Sequence, residues 1–234
     1  MSRPPRARPG RQAGLKPRLR TAKGRKTAST RWLQRQLSDS YVAEAKRLGL
    51  RSRAAFKLMQ LDDRFRLLKP GSAVLDLGAA PGGWTQVAVA RGAGAVVAVD
   101  LQAMEPVPDA CCLRLDLEDS DAPARLGAAL PDGADLVLSD MAPRTTGHAA
   151  TDRLRIVALA ELAYEAARAL LRPDGALVVK VFQGGAHQDL LNALKQDFAF
   201  VRHAKPDASR KESSELYLVA TGFRASDAAA SHSG

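Results

Sequence analysis

Apolar positions along the chain follow two rhythms. From Ser29 to Arg47, Trp32, Leu33, Leu37, Tyr41, Val42 and Ala45 return at three- and four-residue intervals, the signature of a helix with one apolar face. Gly49 ends it. Ser52 then stands where an N-cap belongs, before a second helix from Arg53 to about Phe65 with Ala54, Ala55, Leu58, Met59 and Leu61 on its apolar side. Lys57 sits inside that helix, where a lysine by itself reads as a snorkelling surface residue. After the turn Lys69-Pro70-Gly71 the rhythm changes. Short apolar runs at 73–77, 95–99, 111–115, 135–139, 176–181, 199–204 and 215–221 predict strands. Helical stretches at about 83–91, 121–130, 152–171 and 186–197 lie between them. Strands alternating with helices predict an α/β fold with a mostly parallel, doubly wound sheet of about seven strands. The last two strands, joined without a helix, predict an antiparallel hairpin at one side, with the final strand antiparallel.

The chain is organised around Val74-Leu75-Asp76-Leu77-Gly78-Ala79-Ala80-Pro81-Gly82-Gly83-Trp84. This is a strand, a glycine-rich turn and the opening of a helix. Glycines let the backbone approach a ligand, and the helix points free N–H groups and its positive end at the same spot. Such turns at the carboxyl ends of strands hold nucleotides in open α/β sheets. The spacing is not G-x-G-x-x-G, and Pro81 stiffens a turn that a pyrophosphate-binding loop keeps open. An adenosyl ligand without a pyrophosphate fits better, and S-adenosylmethionine fits best.

Composition narrows the class. A length of 234 residues and a hydrophobic content of 46% suit one domain with a single core. No apolar run approaches the roughly 18–20 residues of a membrane span. The Arg- and Pro-rich N-terminus has no apolar h-region, so no secretory signal is expected. The net charge of +10 is concentrated: residues 1–31 hold eleven Lys and Arg and no acid, and the remainder is close to neutral. Residues 1–28, rich also in Pro and Gly, read as a disordered basic tail with affinity for nucleic acid but no sequence specificity. A solubilising extension and a transit peptide are the other readings. Residues 225–234 read as a frayed C-terminus. Cys111 and Cys112, adjacent in an apolar run, read as buried strand thiols in a reducing, cytoplasmic setting. No His/Cys cluster has metal-ligand spacing, and no metal is expected. Without a dimerisation stripe, a monomer is expected.

Several strand ends carry chemistry. Asp100 closes the second strand, where nucleotide-binding α/β folds bind ribose hydroxyls. Asp116 closes the third, where a carboxylate can accept from an adenine amino group. Asp140 follows the central strand Leu136-Val137-Leu138-Ser139, at the edge where ligands bind. Lys180 interrupts Leu177-Val178-Val179-Lys180-Val181-Phe182, a strand that should be buried on both faces. Such a lysine must be paired or have its pKa depressed, and either marks a functional site. Glu215 repeats the anomaly at the start of the last strand.

Six segments together, in order over about residues 29–224, carry a family resemblance. They are Thr30-Arg31-Trp32-Leu33, Arg51 to Leu58, Asp76 to Trp84, Leu138 to Pro143, Val179 to Gly184, and Lys205-Pro206 running through Ser209-Arg210 to Glu215 and Tyr217. On these the chain resembles the FtsJ/RrmJ family of ribosomal-RNA 2′-O-ribose methyltransferases, the bacterial type acting on a uridine of large-subunit (23S) rRNA. The resemblance implies a Rossmann-like S-adenosylmethionine-dependent methyltransferase fold over 29–224 and the large ribosomal subunit as partner. It implies a catalytic tetrad of Lys57, Asp140, Lys180 and Glu215, and cofactor binding by Gly82, Trp84, Asp100, Asp116 and Asp140. Lys180 is then the candidate base for the ribose hydroxyl, its pKa lowered by partial burial and by Lys57, with Asp140 and Glu215 holding the ammonium groups. A role for Lys180 in orientation only, with water taking the proton, is the alternative. Arg51, Arg53 and Arg210 are candidate phosphate contacts. Residues 1 to about 20 fall outside the family's pattern. Another RNA target, or a non-catalytic ribosome-assembly factor on the same fold, remain as other functions.

Overall fold

The computed structural model describes residues 40–143, 149–184, 187–210 and 212–224. The basic tail, residues 29–39 of the expected first helix and residues 225–234 lie outside the described residues. The elements are α1 (Ser40–Arg47), α2 (Ala55–Phe65), β1 (Ala73–Leu77), α3 (Gly83–Ala90), β2 (Ala95–Asp100), β3 (Cys111–Arg114) and α4 (Ala122–Ala129). They continue with β4 (Ala134–Ser139), α5 (Ala149–Leu170), β5 (Leu171–Phe182), α6 (Gln188–Asp197), β6 (Phe198–Ala204) and β7 (Glu215–Phe223).

One seven-stranded sheet runs in the order β3-β2-β1-β4-β5-β7-β6. The pairs among β1 to β5 are parallel, while β7 is antiparallel to both of its neighbours, β5 and β6. The expected hairpin is present, but its second strand takes the inner place. Strand reversal has a positional consequence: β7 starts at the sheet edge where β5 ends, pairing Glu215 with Phe182 and Tyr217 with Lys180.

Strand alternation sends successive side chains to opposite faces. Leu75, Leu77, Val137, Val179 and Val181 pack against α5 and α6. Val74, Leu136, Leu138, Val178 and Tyr217 pack against α2 and α3. Lys180 lies two residues beyond Val178 and Glu215 two before Tyr217, so both fall on the α2 face, where Lys57 is waiting. Leu58 and Leu61 anchor α2 there, fully buried; each such leucine contributes about 1.5–3 kcal/mol relative to an exposed one.

Three local expectations are corrected. Ser52 does not cap α2: the helix starts at Ala55 with no side-chain cap, and the main-chain carbonyl of Ser52 accepts the Ala55 N–H at 3.3 Å. Its hydroxyl faces α3 instead, leaving no room for a side chain on Gly83. Strand β5 begins at Leu171, directly after α5, because Asp174 (φ +63°) and Gly175 form an irregularity that shifts its register with β4. Cys111 is exposed and Cys112 half-buried, because β3 is the edge strand and has a neighbour on one side only.

Candidate active site

Two structures meet at the carboxyl edge of the sheet. The first is a cavity of about 630 Å³ between the glycine turn, the ends of β2 and β4 and the middle of α5. Asp100, Asp116 and Asp140 line it. Gly78 adopts φ +73°, and a Cβ there would stand 2.5 Å from Met141 Cγ, so the turn approaches the β4 loop as only glycine allows. Asp100 Oδ2 accepts the Ala80 N–H at 2.9 Å, and Oδ1 accepts the Gln102 N–H at 2.8 Å. Each oxygen keeps a lone pair for a ligand hydroxyl. Asp116 Oδ1 accepts the Glu118 N–H at 3.0 Å, which fixes its carboxylate at the cavity wall.

Gly82 and Trp84 stand behind the cavity. Gly82 (φ +103°) packs against Val107 and the Arg51 side chain. The Trp84 indole N–H donates to Ala54 O at 2.8 Å, and its ring lies 5.7 Å from that of Tyr217. Trp84 therefore ties the turn to both α2 and β7.

The second structure is a polar cluster under α2. Lys180 Nζ donates to Asp140 Oδ1 at 2.8 Å and to the Asp140 main-chain oxygen at 2.6 Å. Lys57 Nζ lies 2.8 Å from Glu215 Oε1 and 3.8 Å from Asp140 Oδ2. Both lysines are buried, at 8% and 6% exposure for Lys57 and Lys180. All four predicted residues thus meet, and Lys57 is no snorkelling surface lysine. Burial alone would raise the Asp140 carboxyl. The Lys180 and Lys57 ammonium groups, with hydrogen bonds from Lys180 and Tyr217, outweigh it and hold Asp140 below its ordinary value.

Two members went unassigned in the sequence. Tyr217 donates its hydroxyl to Asp140 Oδ1 at 2.7 Å. Burial first, then the Asp140 and Glu215 charges, push its phenol well above the ordinary range, so it acts as a fixed donor. Its signal was available: it stands two residues after Glu215 on one strand, hence on the same face. Asp76 lies under the turn, fully buried, and accepts the Thr85 hydroxyl at 2.7 Å. Burial raises it to about 7 against the lowering effect of Thr85, with smaller raising contributions from Asp140 and Asp100.

Two of the arginines picked as phosphate contacts spend their guanidinium groups on main-chain carbonyls. Arg53 donates to the Ala208 carbonyl, and Arg51 to the carbonyls of Pro81 (3.2 Å), Glu105 and Pro106 (2.6 Å). Arg210 is half-buried in the loop before β7.

The sequence profile of FtsJ-like methyltransferases matches residues 50–223. The chain belongs to the FtsJ-like methyltransferase family. A relative named ribosomal RNA large subunit methyltransferase E, from Granulibacter bethesdensis, is 63% identical over 206 residues, covering 88% of this chain and 90% of that protein. One of the same name from Paramagnetospirillum magneticum is 57% identical over 224 residues, covering 93% and 92%. Among solved structures, a ribosomal RNA methyltransferase from Plasmodium falciparum superposes with a TM-score of 0.66 at 29% identity, covering 74% of this chain and 98% of that one. In this FtsJ-like methyltransferase Asp140 belongs to both structures, lining the cavity and receiving Lys180, Lys57 and Tyr217. Among the described residues no group of three or more His, Cys, Asp or Glu is placed to hold a metal, and no helix is long and apolar enough to cross a membrane.

Proposed function

We propose that this methyltransferase uses S-adenosyl-L-methionine to methylate the ribose 2′-hydroxyl of a uridine in 23S rRNA, acting in the cytoplasm as a monomer on the large ribosomal subunit. The observation that carries the reading is the shared position of Asp140 between cavity and cluster. The donor set suits the cofactor: Asp100 offers acceptors to ribose hydroxyls, Asp116 to the adenine amino group, and the acidic lining suits a cation. Gly82 and Trp84 support the turn from behind. When bound, the cofactor supplies a methyl group on a sulfonium, an electrophile in need of an oxygen nucleophile.

This chain's own residues prepare that oxygen. Lys180 Nζ, after passing its own ammonium proton to solvent, would accept the proton of the 2′-hydroxyl and free that oxygen to take the methyl group the bound cofactor would supply. Asp140 anchors Lys180, Glu215 anchors Lys57, and Lys57 holds the hydroxyl in line. A positioned base contributes about 10²–10⁴-fold, and alignment supplies much of the rest. The double donation of Lys180 to Asp140 favours a second reading, in which Lys180 orients the hydroxyl and water takes the proton. The names of the relatives support large-subunit rRNA as the target, and the 2′-hydroxyl restricts the reaction to RNA. Residues 29–224 form the methyltransferase domain, and residues 1–28 serve as a sequence-independent RNA arm.

Methyl transfer from labelled S-adenosylmethionine to undermethylated large subunits tests this. The expected result is label at a single uridine ribose, lost in Lys180→Ala while cofactor binding persists. Label on another RNA would redirect the substrate. Cofactor binding without transfer to any RNA, with assembly rescued equally by Lys180→Ala, would make the chain an assembly factor. Between the two roles of Lys180, Lys180→Arg decides: it keeps the positive charge and donors, so an orienting residue retains most activity and a base retains almost none.

A further inference from the structure

Arg51 belongs to the segment between α1 and α2, six residues before Lys57, and its half-buried guanidinium forks between two loops. Nη1 reaches the carbonyls of Pro81 and Glu105, and Nη2 reaches that of Pro106 at 2.6 Å. Pro81 belongs to the glycine turn. Glu105 and Pro106 belong to the β2–β3 loop, whose opening residues Asp100, Leu101 and Gln102 line the cavity. The stem of Arg51 lies on Gly82, where a Cβ would stand 3.1 Å from both Cδ and Nη1. The main-chain N–H of Arg51 donates to Gln86 Oε1 on α3 at 2.8 Å, which fixes where the side chain starts.

We infer that Arg51 is a positioning residue for the cofactor rather than a contact to RNA phosphate: its guanidinium clamps the glycine turn to the β2–β3 loop and so sets the width of the cavity between them. The inference rests on the turn being the seat of S-adenosylmethionine. Charge-assisted bonds to carbonyls are short and strong, and three carbonyls facing one planar fork require an arginine. A phosphate can also be held by a lysine, which serves it as a point charge. The same segment carries Ala54, which accepts from Trp84, and Arg53, which holds the Ala208 loop. Those two contacts do not involve the Arg51 fork, and they hold the start of the helix that presents Lys57 without it.

The distinguishing variant is Arg51→Lys in the full-length chain, which keeps the charge and removes the fork. Calorimetric titration with S-adenosylmethionine is expected to show a dissociation constant raised about 10-fold or more. Turnover at saturating cofactor should stay within about 3-fold of the unsubstituted protein, and the salt dependence of 23S rRNA binding should not change. Unchanged cofactor affinity in Arg51→Lys, with a salt slope reduced by about one in Arg51→Ala, would overturn the inference in favour of a phosphate contact. If Arg51→Lys does not fold, Gln86→Leu tests the same clamp by releasing the Arg51 main chain. It should weaken S-adenosylmethionine about 3-fold, and no change there would also overturn it. Failure of the unsubstituted chain to bind S-adenosylmethionine would instead sink the assignment of the turn, a separate outcome.

Discussion

A carboxyl raised by burial and one lowered by neighbours lie on the same face of this sheet, and they respond to pH in opposite senses. Asp76 holds its proton up to about pH 7 in the native state but releases it near 3.8 when unfolded. The native chain thus binds more protons across that window, so stability from Asp76 falls as pH rises from about 4 to about 7. Asp140 is held below its ordinary value, so its stabilisation is complete above about pH 4 and is lost as pH drops further. Asp76→Asn keeps an acceptor for the Thr85 hydroxyl and removes the charge. It is predicted to flatten the decline and to gain on the order of 1–3 kcal/mol at pH 8, measured by urea unfolding at pH 5 and pH 8. An equal decline in variant and parent would assign the pH dependence to other groups. At this scale the sequence was informative where it broke a rule. A lysine in the apolar run of β5 demanded a partner, and Asp140 is that partner. Tyr217 broke none, since a tyrosine in a strand is ordinary, and its one sequence signal was its place two residues after Glu215; the Asp140 carboxylate opposite it gives the role.

Elements impose constraints that no single side chain carries. The turn between β1 and α3 needs Gly78 twice, for its positive φ and for the space that Met141 occupies. Gly49 also has a positive φ, +69°, but nothing stands within 4 Å of a Cβ there. Gly78→Ala is predicted to cost about 2–4 kcal/mol and to weaken cofactor binding at least about 10-fold, whereas Gly49→Ala costs about 1 kcal/mol and leaves binding unchanged. Thermal unfolding and calorimetric titration of the pair separate backbone strain from loss of space. Equal effects at the two sites would mean that Met141 moves aside freely. Strand and helix positions were legible to within a few residues, because the periods of two and of 3.6 are local properties. The inner place of β7 was not, since either edge of a hairpin can pair with β5 and local periodicity is the same for both. The buried state expected of Cys111 failed for the same reason: an apolar run does not say that its strand lies at the edge.

Across the molecule, charge is divided between a basic tail and a nearly neutral remainder. Residues 1–28 contribute ten Lys and Arg. Their deletion is predicted to make the slope of log affinity against log salt for 23S rRNA shallower by several units between about 50 and 200 mM salt. Turnover on saturating RNA should change little, because the residues proposed for chemistry lie in the other part. Filter binding paired with methyl transfer measures both, and an unchanged slope would show the tail to be a solubilising extension. Neither the path of RNA nor the pairing of distant strands is written in local pattern; both depend on which surfaces meet after folding. The inner position of β7 also joins β6 to the rest of the sheet. The β-strand β6 precedes it in the chain yet has β7 as its one neighbour in the sheet. The glycine turn and the acids that line the cavity all come from upstream of β7 in the chain. Glu215 and Tyr217 belong to β7. The strand that completes the sheet is thus also the one that completes the polar cluster.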